Sequence, residues 1–148
     1  MTKKYSFDDD YFQPVVELYL LSANHYRKFF PEAGFDLTPQ QWHALNRLWL
    51  KDGISQSTLA EQTFKDDPYT TRLVDKLVQM KLVYREQLLT DRRVNLIFLT
   101  KAGKALKQKI HPVFGEMAES LREGITDKEL ADLKKLCGKL IKNYRSKL

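Results

Sequence analysis

The sequence predicts a mainly α fold with one two-stranded β-hairpin, and three observations carry that expectation. Apolar residues recur at threes and fours through long segments at both ends of the chain. Two shorter helical segments near the middle are parted only by Lys65-Asp66-Asp67-Pro68, a stop followed at once by a start. Residues 82–99 then change to the period-two alternation of strands, interrupted by a charged TDRR.

Each element follows in order. Residues 8–30 (DDDYFQPVVELYLLSANHYRKFF) form a helix with a wide apolar face, and Asp8 to Asp10 place negative charge at its positive end. PEAGFDL breaks it. Thr38 is the N-cap of the next helix, with Pro39 at the first helical position and Gln41 at the capping-box position. Trp42, Leu45, Leu48 and Trp49 follow at core spacing. Lys51-Asp52-Gly53 ends this helix, and Ile54 offers one short strand residue. Ser55 caps a short helix through Thr63 or Phe64, with Leu59 and Ala60 facing inward. Asp67 is the expected cap of the following helix, Pro68 its first residue, and Met80 its approximate end. Leu82–Glu86 and Val94–Leu99 are the expected strands. Thr100 caps a long helix bearing Leu106, Ile110, Val113, Phe114, Met117 and Leu121, with a kink expected at Pro112. Gly124 ends it, and Thr126 starts a last helix. There Leu130, Leu133, Cys137, Leu140 and Tyr144 form a coiled-coil-like seam.

A chain of 148 residues suits one domain, or one domain with a helical extension. Its 25 Lys+Arg against 19 Asp+Glu give a net charge of +6, which favours an anionic partner without naming one. The single cysteine, Cys137, excludes an internal disulfide, and its place on an apolar seam makes it a small buried hydrophobe. MTKKYSFDDD has no apolar signal region, and no run approaches the roughly 20 apolar residues of a membrane span. A soluble, cytoplasmic protein is expected. No Ser/His/Asp or paired-carboxylate pattern and no Gly-rich phosphate loop is present, so neither an enzyme nor a cofactor is expected.

Two short helices joined by a tight turn and followed by a hairpin make the order of a winged helix–turn–helix, whose second helix enters the major groove. At about 100° per residue, Thr70, Leu73, Val74, Leu77, Val78 and Met80 fall on one side of the helix after Pro68. Tyr69, Thr71, Arg72, Asp75, Lys76 and Gln79 fall on the other, a mixture suited to base edges and phosphates. Standing alone, that side would be an ordinary solvated face. Asp75 would repel phosphate, and Arg72 or Lys76 is its expected partner. The hairpin then presents Arg92 and Arg93, expected on opposite sides of a pleat, with Asp91 holding the tip through Arg93 or the turn amides. The alternative is an inconsequential surface ion pair, but the motif order favours DNA contact.

The runs LTPQQWHALNRLW, GISQSTLAEQTFKDDPYTTRLVDKLVQMKLVYRE and TDRRVNLIFLTKAGKAL resemble the MarR family of bacterial transcription regulators over about residues 37–106. The resemblance implies a homodimer built on its terminal helices (1–36 and 104–148), with a DNA-binding lobe at 37–103. Two such lobes would hold a pseudo-palindromic operator in a repressor released by a small anionic or aromatic ligand. By position, Thr71 and its neighbours Tyr69, Arg72 and Lys76 match the recognition helix. Arg93 matches the minor-groove arginine, Asp91 its brace and Arg92 a phosphate contact. Ser55, Gln56 and Ser57 match a helix start where amides meet phosphate. Two departures stand out. Lys81 replaces the usual Gly after the recognition helix, and Leu88-Leu89 replaces a polar wing turn. The leucines are expected to pack back on their own lobe.

The resemblance also implies an effector pocket, for which Tyr26, Phe29, Trp42, His43 and His111 are the candidate lining residues. Each is also a plausible core or interface aromatic. His25, His43 and His111 raise a zinc-responsive alternative, which lacks an i, i+4 pair or a neighbouring Cys, and no metal ligand is assigned. A further alternative is a protein-interaction module docking through the Leu88-Leu89 edge.

Overall fold

Local capping chemistry sets the helix boundaries in the computed structural model, which describes residues 10–148. The elements are α1 (Phe12–Glu32), α2 (Pro39–Leu50), β1 (Ile54–Ser55), α3 (Gln56–Thr63), α4 (Asp67–Gln79), β2 (Val83–Leu88), β3 (Asp91–Leu99), α5 (Lys101–Leu121) and α6 (Asp127–Arg145). The architecture is the expected one: mainly helical, with the hairpin β2–β3. The short strand at Ile54 joins β3 to give an antiparallel sheet of order β1-β3-β2. Asp8 and Asp9 lie outside the described residues. Asp10 Oδ1 accepts from the Phe12 amide at 2.9 Å.

At the start of α2, Thr38 Oγ1 accepts from the Gln41 amide at 3.2 Å and Gln41 Oε1 accepts from the Thr38 amide at 2.9 Å, a complete capping box. Thr126 and Glu129 repeat it on α6. Ser55 Oγ accepts from Thr58 N at 3.0 Å and starts α3. At α4 the cap is Asp66 rather than the expected Asp67: Asp66 Oδ1 accepts from Tyr69 N at 2.7 Å. Pro68 thereby becomes the second helical residue. The first turn needs no amide from a proline, so either aspartate is compatible with it. Helical structure on α5 runs through Pro112 without a break.

The expected core positions are buried: Trp42, Leu45, Leu48 and Trp49 on α2, Leu59 and Ala60 on α3, and Thr70, Leu73, Val74 and Leu77 on α4. Val78 departs from this, at 36% exposure on the rim of the α4 stripe, and Met80 is half-buried. Phe30, fully buried at the end of α1, packs on Trp42 (ring centroids 5.5 Å apart), which packs on Trp49 at 5.4 Å.

The hairpin is longer than expected, leaving only Leu89-Thr90 between the strands. Its pairing steps from Gln87↔Asn95 to Leu88↔Asp91, so Arg92, Arg93 and Val94 form the long side of a bulge. The arginines therefore lie in a bulge instead of alternating across a regular pleat, and bulges re-aim side chains. Leu88 is half-buried, but Leu89 is 97% exposed. That corrects the expectation that both leucines pack back. A two-residue connection places Leu89 at the outermost point of the hairpin, away from the lobe's apolar surface.

Lys81 ends α4 in the left-handed region, φ 59°. Its amide donates to Val78 O at 2.8 Å and the Leu82 amide to Leu77 O at 3.0 Å, closing the last turn as glycine usually does. A side chain there costs roughly 1–2 kcal/mol, against roughly 0.5–1 kcal/mol of extra unfolded-state entropy for glycine. Lys81→Gly is expected to stabilise the protein by about 0.5–1 kcal/mol, read as a raised denaturant midpoint at unchanged slope.

The chain forms two compact units, residues 1–110 and 111–148. In the second, no residue of α6 is buried, and Leu133, Leu136, Ile141 and Tyr144 are each about half exposed. Cys137 is likewise only half-buried, which corrects its expected burial. A helix with an uncovered apolar seam has no core of its own to hide such a residue in. Among the described residues, no helix is long and apolar enough to cross a membrane.

Candidate nucleic-acid interface and ligand cavity

The exposed side of α4 carries Thr71, Arg72 and Lys76, with Tyr69 half-exposed at its start. Beside it, the wing and the start of α3 close on a polar hollow of about 260 Å³ lined by Ser55, Gln56, Ser57, Asp67, Arg93 and Asn95. The hollow joins residues far apart in the chain. At its rim Asp91 grips Arg93 three times: Oδ1 accepts from the Arg93 amide at 3.0 Å and from Nε at 3.1 Å, and Oδ2 accepts from Nη2 at 3.3 Å. The Arg93 side chain and then its amide hold the Asp91 carboxyl below the usual carboxylate range. Arg93 is nonetheless 91% exposed, so its free edge faces outward. Arg92 is exposed beside it.

Asp75 pairs with neither Arg72 nor Lys76. Its partner is Arg85 of β2, whose Nη1 donates to Asp75 Oδ1 at 2.6 Å. Arg85 escaped the sequence reading because its contacts lie ten or more positions away. One signal was available: Arg85 shares the inward parity of Val83, where alternation predicts an apolar residue. Gln56 is also committed, with Oε1 accepting from Arg85 Nε at 3.1 Å and Nε2 donating to Thr71 Oγ1 at 3.0 Å.

A second hollow, of about 410 Å³, lies between α1, α2 and the α3–α4 turn. Tyr19, Ser22 and Tyr26 line it from α1, Trp42 and His43 from α2, and Lys65 from the turn. Three of the five expected residues, Tyr26, Trp42 and His43, meet there. Phe29 does not line it. Its ring stacks on His25 at 6.2 Å and meets Phe30 edge-on at 5.5 Å, drawn toward the aromatic cluster around Trp42. His111 belongs to the second unit, where it is exposed. Among the described residues, no group of three or more His, Cys, Asp or Glu is arranged to hold a metal ion.

Burial, then Arg47, then Lys65 lower the proton affinity of His43, and burial raises the Tyr26 phenol. Arg47 Nη2 lies 3.2 Å from His43 Nε2. The guanidinium can only donate, so this nitrogen is the acceptor of a neutral ring. A histidine whose folded proton affinity is lowered contributes stability that is complete above its unfolded pKa of about 6.5 and lost as pH falls below it. Melting temperature is expected to drop as pH is lowered from 7 towards 5, and His43→Gln to flatten that drop.

The MarR family model matches residues 37–94. The HTH-type transcriptional regulator BilQ of Clostridium symbiosum (strain WAL-14163) is 31% identical over 98 residues, 66% of this chain and 68% of that protein. The chain belongs to the MarR family. It is a transcriptional regulator with a DNA-binding winged helix. Among solved structures, a MarR regulator from Methanosarcina mazei Go1 superposes with a TM-score of 0.81 at 25% identity, covering 92% of this chain and 96% of that one. BpsR of Bordetella bronchiseptica, described for the regulation of its DNA binding by 6-hydroxynicotinic acid, gives 0.77 at 22% identity and covers 93% and 97%. In this MarR chain, the wing is the hairpin β2–β3, and α3 and α4 are the two helices of the helix–turn–helix.

Proposed function

We propose that this MarR-family chain is a cytoplasmic homodimeric repressor that grips a pseudo-palindromic operator and releases it when a small anionic aromatic ligand fills the larger hollow. The observation that carries the DNA reading is Arg93: a guanidinium held on one edge by Asp91 and open on the other, at a bulge beside the start of α3. A fixed, exposed arginine suits the narrow, electronegative minor groove. The exposed side of α4, with Tyr69, Thr71, Arg72 and Lys76, takes the major groove. Ser55, Gln56, Ser57 and Arg92 take the backbone phosphates in this reading. Residues 37–103 thus serve DNA, and the segments 1–36 and 104–148 serve dimerisation.

The exposed apolar residues Leu133, Leu136 and Ile141 of α6, and Val15, Leu18 and Leu21 of α1, support a second copy as their cover. The ligand reading is supported by aromatic walls, a cation at Lys65 and no Asp or Glu among the lining residues. Lys65 Nζ also lies 5.1 Å from the centre of the Tyr69 ring on α4, a short route from the hollow to the recognition helix.

The test is retardation of the protein's own promoter DNA across a salt series. Because phosphate neutralisation dominates such binding, affinity is expected to fall by on the order of a thousandfold between 50 and 200 mM salt. Salt-independent binding, or none, would remove DNA from the function.

A further inference from the structure

Arg85, on β2 of the wing, binds to three groups on α3 and α4. Its Nε donates to Gln56 Oε1 at 3.1 Å, its Nη1 to Asp75 Oδ1 at 2.6 Å and its Nη2 to the Thr71 carbonyl at 3.3 Å. Gln56 completes the ring by donating to Thr71 Oγ1, which itself donates to Asp67 O at 2.9 Å. One half-buried side chain, 27% exposed, thus ties β2 of the wing to the first residue of α3 and to two successive turns of α4.

We propose that Arg85 is a positioning residue for sequence discrimination: it fixes the recognition helix against the wing, so that major-groove and minor-groove readers meet the DNA in one register. The proposal rests on the DNA-binding reading above and adds a residue that makes no DNA contact itself. The charge balance agrees with this. Asp75 on the DNA-facing side would repel phosphate, and Arg85 neutralises it from behind while leaving Arg72 and Lys76 to the partner. The geometry demands arginine, because three acceptors in different directions match the planar fork and a lysine ammonium cannot reach all of them. Base contacts depend on placement within fractions of an ångström, whereas phosphate attraction does not. Loosening this joint therefore costs specific binding more than non-specific binding.

The experiment compares the full-length wild type with Arg85→Lys and Arg85→Met by fluorescence anisotropy. The probes are an operator fragment selected from genomic DNA by the wild type and a random duplex of equal length, each titrated over a salt series. Both variants are expected to lose at least tenfold on the operator and less than twofold on the random duplex. The slope of log affinity against log salt is expected to match the wild type. A slope reduced by about one would make Arg85 a phosphate contact and overturn the proposal; so would equal losses on both DNAs. Should the Arg85 variants fail to fold, Asp75→Asn takes their place. It weakens one side of the joint, and it is expected to lower operator binding several-fold without lowering binding to the random duplex; unchanged discrimination overturns the proposal. A wild type that does not distinguish the two DNAs refutes the operator-binding reading itself, a result separable from loss of the Arg85 effect alone.

Discussion

Arg93→Ala is expected to weaken operator binding by about 1–3 kcal/mol, roughly 5- to 150-fold, with the oligomeric state unchanged. The argument is one of preparation. Asp91 takes the Arg93 amide, Nε and Nη2, so the guanidinium is oriented before DNA arrives, and little rotamer freedom remains to be lost on binding. Arg93→Lys is expected to recover only part of the loss, since an ammonium cannot share itself between Asp91 and a groove in the same plane. Asp91→Ala is expected to behave as a milder version of Arg93→Ala, because it leaves the charge but frees the side chain. Anisotropy titration at fixed salt measures all three, and sedimentation checks the oligomeric state. Unchanged affinity in Arg93→Ala would mean that the wing does not enter a groove.

How much of this was legible in the sequence depends on how far each cause reaches along the chain. Thr38, Ser55 and Thr126 were readable as caps because a cap bonds an amide three residues away. At Asp66-Asp67 the same chemistry offered two equivalent oxygens, and the reading was wrong by one residue. Asp91 as the brace of Arg93 was legible for the same reason, being two positions off. The bulge at 92–94 was not, because it follows from the register that β3 must keep with β2 at Gln87↔Asn95. Leu89 shows the same limit from the other side: the short loop, not the apolar side chain, decides that it stands outside. Arg85 was invisible as a partner of Asp75, Gln56 and Thr71, since its contacts span separations of 10, 29 and 14 residues. Tyr26, Trp42 and His43 were expected on one hollow from the family resemblance, not from spacing; they meet there because α1 and α2 pack through Phe30 and Trp42. Phe29 was misplaced because rings compete for the same stack, and spacing alone does not say which wins.

Gly103→Ala is expected to destabilise the fold by about 3 kcal/mol, the upper end of what overpacking costs, with a fall of roughly 10 °C in melting temperature. Gly103 sits in the first turn of α5, where helix propensity alone would favour alanine by roughly 0.5–1 kcal/mol. A Cβ there, however, would come within 2.1 Å of the Leu82 carbonyl oxygen and 3.2 Å of Leu99 Cδ2. That oxygen cannot step aside cheaply, because it accepts from the Thr100 amide at 3.0 Å and from Thr100 Oγ1 at 3.2 Å. Nor can α5 retreat: the Gly103 amide donates to Thr100 Oγ1 at 3.0 Å, and its carbonyl accepts from the buried Trp49 Nε1 at 3.0 Å. The close approach of helix to strand is thus what α2, β2 and α5 are organised around, and it gives the Gly of LTKAG a steric cause. Gly115→Ala supplies the control within the same helix. An added Cβ there meets nothing within 4 Å, so propensity acts alone and stability is expected to rise by about 0.5–1 kcal/mol. Melting both variants at one protein concentration separates the two effects by sign, and a Gly103→Ala protein as stable as the wild type would show that β2 and α5 are not held as closely as these contacts require.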